Sequence, residues 1–217
     1  QRKEAGNLAR DEERLSSLVD RLAVLIAQQR KAEQEAALRR ARAKAEAAAS
    51  AKARPPKMAQ EGKPAPLPPQ AKAEPRRPAA EEAAEPPPPP DGAAFAALRG
   101  KAKLPVKGDV AATFGAKRAD GPPWKGLFIR ASEGSEVHAA GAGEVIFSDW
   151  MRGFGNLIIV DHGGQYMSIY GNNQALLKRP GDRVKNGDVI ATVGNSGGNE
   201  HSGLYFELRH QGRAIDP

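Results

Sequence analysis

Leu8, Leu15 and Leu22 recur every seven residues, with Leu18 and Leu25 as a companion row. This spacing predicts a helix carrying a narrow apolar seam of about three heptads, a width that suits a partner helix. The other use of such a seam is one amphipathic helix lying on its own globular domain. After Ile26 the seam gives way to Gln29, Ala32, Ala36 and Arg39, but Ala, Arg, Glu and Lys keep helix propensity high to about Ala53. Pro55-Pro56 then ends the helix, because proline removes a backbone donor and disfavours helix in the residue before it. Residues 57–90 read as a Pro/Ala/Lys/Glu linker closing on five consecutive prolines, a short polyproline spacer. Asp91 can cap a short helix over 92–99 whose apolar side is Ala94, Phe95 and Leu98, with Gly100 ending it. Beyond Leu104 the period falls to two. Strands are expected near 144–148, 157–161, 166–170, 189–193 and 204–209, with a tight hairpin turn at 162–165 and a turn, short strand and second turn over 180–188. No helix of note is expected there. The organisation predicted is a coiled-coil helix at 1–53, a linker at 54–90, a short helix at 91–103 and an all-β domain at 104–217.

Composition supports this division. Thirteen of the eighteen prolines lie between Pro55 and Pro90, and Phe and Trp are absent before Phe95, so core-forming aromatics come late. The net charge of +7 is equally uneven. Residues 104–217 carry 12 basic and 12 acidic side chains, so the whole excess lies in the helix and linker. There it is diluted along low-complexity sequence with no aromatic platform for bases, which argues against nucleic acid. Solvated charge is the simplest account; an anionic surface such as membrane or cell wall is the other. The chain has no cysteine, which removes disulfides and thiolate metal sites. No apolar run reaches the roughly 18 residues needed to span a bilayer. The sequence opens on Gln1 within a helical pattern, so a targeting segment and earlier helices are expected upstream.

Several glycine-anchored blocks occur in order: Gly134-Ser135-Glu136-Val137-His138-Ala139-Ala140-Gly141, Gly153-Phe154-Gly155-Asn156-Leu157-Ile158-Ile159-Val160-Asp161-His162-Gly163, Tyr166-Met167-Ser168-Ile169-Tyr170-Gly171, and Gly187-Asp188-Val189-Ile190-Ala191-Thr192-Val193-Gly194. Together they resemble the LytM, or M23 peptidase, domain over about 104–217. That resemblance implies an antiparallel all-β fold of the duplicated hybrid motif type. With Trp124-Lys125-Gly126, Leu204-Tyr205-Phe206-Glu207 and a preceding coiled coil, the nearest branch resembles the EnvC-type murein hydrolase activators.

Active members hold zinc with two nitrogens and a carboxylate, leaving a position for the attacking water. By alignment to that pattern, Trp124 stands for the first histidine, Phe128 for the aspartate, and Asn172 for the histidine of Tyr-Gly-His. Gly203 and Tyr205 stand for the two histidines of His-x-His. The remaining histidines, His138, His162, His201 and His210, do not align to replace them; His162 reads as a structural residue of the hairpin. No cofactor, metal or catalytic residue is therefore expected. The apolar replacements suit a protein-binding groove. Trp124, Lys125, Phe128, Tyr170, Asn172, Leu204, Tyr205 and Arg209 are its expected lining, Lys125 and Arg209 at the rim. Filling of the emptied cavity as core is the plainer account of Trp124 and Tyr170.

The resemblance implies a non-catalytic activator of periplasmic N-acetylmuramoyl-L-alanine amidases in septal wall splitting of Gram-negative cells. It further implies engagement of the FtsE–FtsX complex by the coiled coil, with peptidoglycan as a further binding partner. The competing classes are an active M23 zinc endopeptidase and a biotinyl/lipoyl-type carrier. The latter is suggested by the 180–190 run but lacks a modifiable lysine at a hairpin tip. Phe95 and Leu98 on the short helix are expected to plug the cleft at rest, or else to patch one edge of the sheet.

Overall fold

Alternating burial along the C-terminal half shapes one antiparallel sheet system. The computed structural model describes residues 2–52, 92–98, 103–118 and 121–217. Helix α1 runs Arg2–Lys52 and helix α2 Gly92–Ala96. Ten strands follow: β1 Asp109–Ala112, β2 Leu127–Arg130, β3 Glu136–His138, β4 Gly143–Met151, β5 Gly155–Gly163, β6 Tyr166–Leu176, β7 Arg183–Val184, β8 Val189–Val193, β9 Gly203–His210 and β10 Arg213–Ile215. The fold class is the expected one, a long N-terminal helix followed by an antiparallel β domain. The linker and the proline stop of the first helix lie outside the described residues.

The main path is β1-β2-β9-β6-β5-β4-β7, with β10 on β9 and β8 joining β6 to β3. The expected five strands are present, β8 with the bounds read and the other four extending further. Strands β1 and β2 were not anticipated. Each is only four residues long, too short for alternation to stand out from turn sequence. The hairpin between β5 and β6 turns on Gly164 and Gln165, both at positive φ (55° and 65°), the backbone that matches the twist of its strands.

Two apolar layers result. Ile158, Val160, Tyr170, Leu204 and Phe206 face one way and pack with Val137, Ile190 and Val193. Leu157, Ile159, Met167, Ile169 and Tyr205 face the other way, where Leu15 and Val19 of α1 cover them. Among the described residues, 2–26 thus belong to one compact unit with 92–98, 103–118 and 121–217, while 27–52 belong to a separate unit. Helix positions 31–47 are exposed and helical by composition. The heptad row read as a seam for a partner helix is in part the row that docks on this chain's own sheet. Its spacing could not reveal which surface it meets. Leu25, Val24 and Leu38 remain exposed.

His162 is structural, as its place in the hairpin suggested. Its Nδ1 lies 2.8 Å from the Ala142 carbonyl, which can only accept, so Nδ1 carries the hydrogen. Nε2 then accepts from the Ser168 hydroxyl at 2.7 Å. Ser168 lies 2.9 Å from the Tyr170 hydroxyl, which in turn accepts from the Ala140 N–H at 2.8 Å. Burial lowers the His162 pKa to about 4, outweighing the Ala142 bond, and raises that of Tyr170 to about 12. The unfolded chain takes up this proton below about pH 6.5 while the folded chain refuses it until about 4, so stability rises with pH across that window. The full effect is about 3 kcal/mol. Thermal midpoints should therefore fall steeply between pH 6.5 and 4.5, and His162→Gln should flatten that profile while lowering stability at pH 7. An equal slope in the variant would assign the acid sensitivity elsewhere.

Candidate protein-binding cleft

Strands β2 and β9 pair so that Phe128 stands opposite Tyr205 and Arg130 opposite Gly203, while Gly171 of β6 pairs Tyr205 on the other side. Asn172, at φ 64°, follows. Trp124 precedes β2 and is tied to the 113–118 loop by bonds from Trp124 N to Ala116 O (3.0 Å) and from Gly115 N to Trp124 O (2.8 Å). The Trp124 ring lies 6.0 Å from that of Phe128 and 6.3 Å from that of Tyr205. Phe128 also occupies the space over Gly203, where an added Cβ would meet its Cζ at 2.7 Å. Trp124, Phe128, Asn172 and Tyr205 line one cavity of about 210 Å³. The five positions read as replaced zinc ligands or catalytic histidines therefore do come together.

These residues do not fit a zinc ion. An indole, a phenyl ring and a glycine supply no donor, and Tyr205 is committed elsewhere. Its hydroxyl donates to Glu207 Oε2 at 2.6 Å, and burial, then the Glu207 charge and that bond, push its pKa well above the usual 10. Among the described residues no group of three or more His, Cys, Asp or Glu is placed to hold a metal.

Period two on β9 sets Tyr205, Glu207 and Arg209 on the cleft face. Arg209 Nε donates to Glu207 Oε1 at 2.6 Å, so this carboxylate is held from both sides. Glu207 is 0% and Arg209 2% exposed. Arg209 is thus a buried support, not the rim residue anticipated, because α1 lies over it and Ser16 Oγ accepts from its Nη1 at 3.3 Å. The same alternation corrects two other lining residues. Tyr170 and Leu204 point into the opposite layer, Tyr170 bonded to Ala140 N and Leu204 packed with Phe206. Lys125 keeps its rim position, its side chain 38% exposed.

The cover over this cleft is α1, not α2. Leu15 and Val19 insert among Phe154, Ile169 and Tyr205, with Leu18, Leu22 and Ile26 beside them. Glu12 pairs Arg118 at 3.4 Å and Lys125 at 3.3 Å. Asp11 packs against Gly153, where an added Cβ would lie 2.7 Å from the Asp11 Cβ and φ is 83°. Phe95 of α2 instead stacks on His162, ring centroids 3.9 Å apart, and Leu98 packs against that same layer. An added Cβ at Gly141 would strike the Phe95 ring at 2.6 Å. The expected plug therefore patches the far layer. Its apolar residues were legible, but the glycine-lined seat opposite the cleft was not. Glu12, Arg118 and Glu207 are further cleft residues, outside the expected lining. Only Glu207 had a signal, its two-residue offset from Tyr205.

The geometry defines a peptidase-type domain whose metal position has been rebuilt from aromatic and apolar side chains. Residues 122–217 match the family described as Peptidase family M23, and this region is an M23 domain. Murein hydrolase activator EnvC of Escherichia coli K12 is 46% identical over 121 residues, 56% of this chain and 29% of that protein. Murein hydrolase activator NlpD of the same strain is 37% identical over 116 residues, 53% of this chain and 30% of that protein. A crystal structure of a zinc containing peptidase from Vibrio cholerae superposes at TM-score 0.50 and 26% identity over 52% of this chain and 37% of that one. The chain thus spans about three tenths of the length of the curated relatives named.

Proposed function

We propose that this chain is a non-catalytic activator of cell-wall hydrolases, binding a periplasmic N-acetylmuramoyl-L-alanine amidase through the degenerate cleft. The observation that carries the reading is that the five replaced ligand and catalytic-histidine positions gather at one place, where Trp124 and Tyr205 pack in the apolar layer with Leu15 and Val19. A helix already fills this groove, so the groove's shape and chemistry are those of a helix receptor. Similarity to two proteins named murein hydrolase activators supports the same reading. With α1 seated the receptor is closed, and activation requires the helix to leave. Action at the division septum of a Gram-negative cell, with movement of the helical arm by the FtsE–FtsX complex, belongs to this reading, as does contact with peptidoglycan.

The test is reconstitution. Purified chain should release no label from dye-labelled peptidoglycan, with or without added zinc, and should bind no stoichiometric zinc by elemental analysis. Added to a periplasmic amidase, a chain with its helix released should stimulate label release. Chelator-sensitive release by the chain alone would overturn the reading in favour of a peptidase.

A further inference from the structure

The seat of α1 is well packed at one end and poorly satisfied at the other. Leu15 and Val19 are fully buried. One turn earlier, Glu12 meets two cations at 3.4 and 3.3 Å, longer than the roughly 2.7–2.9 Å of a good charge-assisted hydrogen bond. Glu12 Oε1 and Arg118 Nε are buried and make no hydrogen bond, and neither does Asn172 Oδ1. Glu12, Arg118 and Asn172 all line the cavity of about 210 Å³ left beside the helix. Arg118 is meanwhile well held. Its guanidinium stacks 3.9 Å over the Trp124 ring, which fixes the plane of its donors before any ligand arrives. Asp11, the other carboxylate lining this cavity, is taken by Arg14 at 2.9 Å and Arg152 at 3.9 Å, so Glu12 alone meets both Arg118 and Lys125 at the mouth of an apolar groove.

We infer that Arg118 and Lys125, braced by Trp124, form a carboxylate-recognition subsite whose proper occupant is an acidic residue on a partner protein's helix. That helix presents Asp or Glu three residues before a leucine and seven before a branched aliphatic residue, the spacing of Glu12, Leu15 and Val19. Beside the acid it carries a bulkier side chain that fills the cavity and donates to Asn172. Helix α1 is an underfilled copy of this ligand, which makes it displaceable. The inference rests on the cleft being a helix receptor, as proposed above. It adds which chemistry selects the helix, since a basic or neutral helix of the same apolar pattern leaves two cations unpaired. A free anionic polymer would meet the cations but not the Leu15 and Val19 seat.

The experiment uses the full chain carrying Leu15→Asp and Val19→Asp, with release of α1 verified by hydrogen exchange, and a labelled peptide copying residues 6–26. The peptide should bind, and its Glu12→Gln version should bind about tenfold more weakly, as loss of one partner in a close charge pair implies. In the Arg118→Gln chain that difference should largely vanish. Lys125→Gln, at a more exposed position, provides a second version should Arg118→Gln perturb the loop. Equal affinity of the two peptides, no binding of either, or a Glu12 effect that survives both substitutions would overturn the inference. So would Arg118-dependent capture of soluble anionic wall fragments without capture of the peptide. These readouts need no amidase. A cycle that behaves as expected alongside a released chain that activates no amidase would therefore refute the function and leave the subsite standing.

Discussion

Replacing Leu15 and Val19 together by aspartate is expected to raise amidase activation by tenfold or more, with the sheet domain still folded. Each buried aliphatic side chain stabilises the docked helix by about 1.5–3 kcal/mol, and a carboxylate in its place adds a desolvation cost. The docked state is intramolecular, so its advantage is an effective concentration in the millimolar range, which a few kcal/mol of lost contact removes. If the receptor is open about 1% of the time at rest, full release can raise apparent affinity about a hundredfold and no further. Hydrogen exchange over residues 8–26 should quicken in the same variant. Quickened exchange with unchanged activation would mean that the helix covers the cleft without controlling it. Removing Phe95 is the matched control: Phe95→Ala loosens the stack on His162 and should cost stability without opening the cleft, because its contacts lie in the other layer.

How much of this was legible depended on the period each element displays. The long strands announced themselves through alternation, as in the Leu157 to Asp161 run, and the glycine blocks fixed their order. The five degenerate positions were readable because each sits in a motif with an expected residue. A motif written as a string of residues does not state which way each side chain faces; a strand does. In the run 203–209, Tyr205 on the cleft face obliges Leu204 to point away, and obliges Glu207 and Arg209 to share its side. The seat of α1 was not legible for a different reason. A heptad row states that a helix has an apolar stripe, but whether a helix or a sheet receives it is settled by a surface assembled from β2, β5, β6 and β9, far away in the chain. Arg118 lay in a loop with no pattern at all, and only its stack on Trp124 and its contact with Glu12 give it a role.

Arg209→Ala is expected to be among the most destabilising single changes in the domain, by about 3–5 kcal/mol, because it leaves the Glu207 carboxylate buried without its cation. A loss of that size should lower the thermal midpoint by roughly 10 °C or more in a domain of this length. Arg209→Glu should be worse, setting a second carboxylate on the side where the guanidinium now bonds Glu207 at 2.6 Å. Loss of activation in either variant would therefore report a damaged fold rather than a missing partner contact. Replacing both charges together, as in Glu207→Gln with Arg209→Met, should recover most of the stability, since a neutral pair of similar volume avoids the desolvation of two ions and the glutamine amide oxygen can still accept from Tyr205. Activation in this double variant then separates two roles for Arg209. Recovered activation would make the arginine a support for Tyr205 and Glu207 alone. A stable double variant that fails to activate would place its guanidinium, with the bond it now gives Ser16, in direct contact with the incoming helix. If Arg209→Ala instead keeps its thermal midpoint, the buried ion pair is not what holds this face of the sheet.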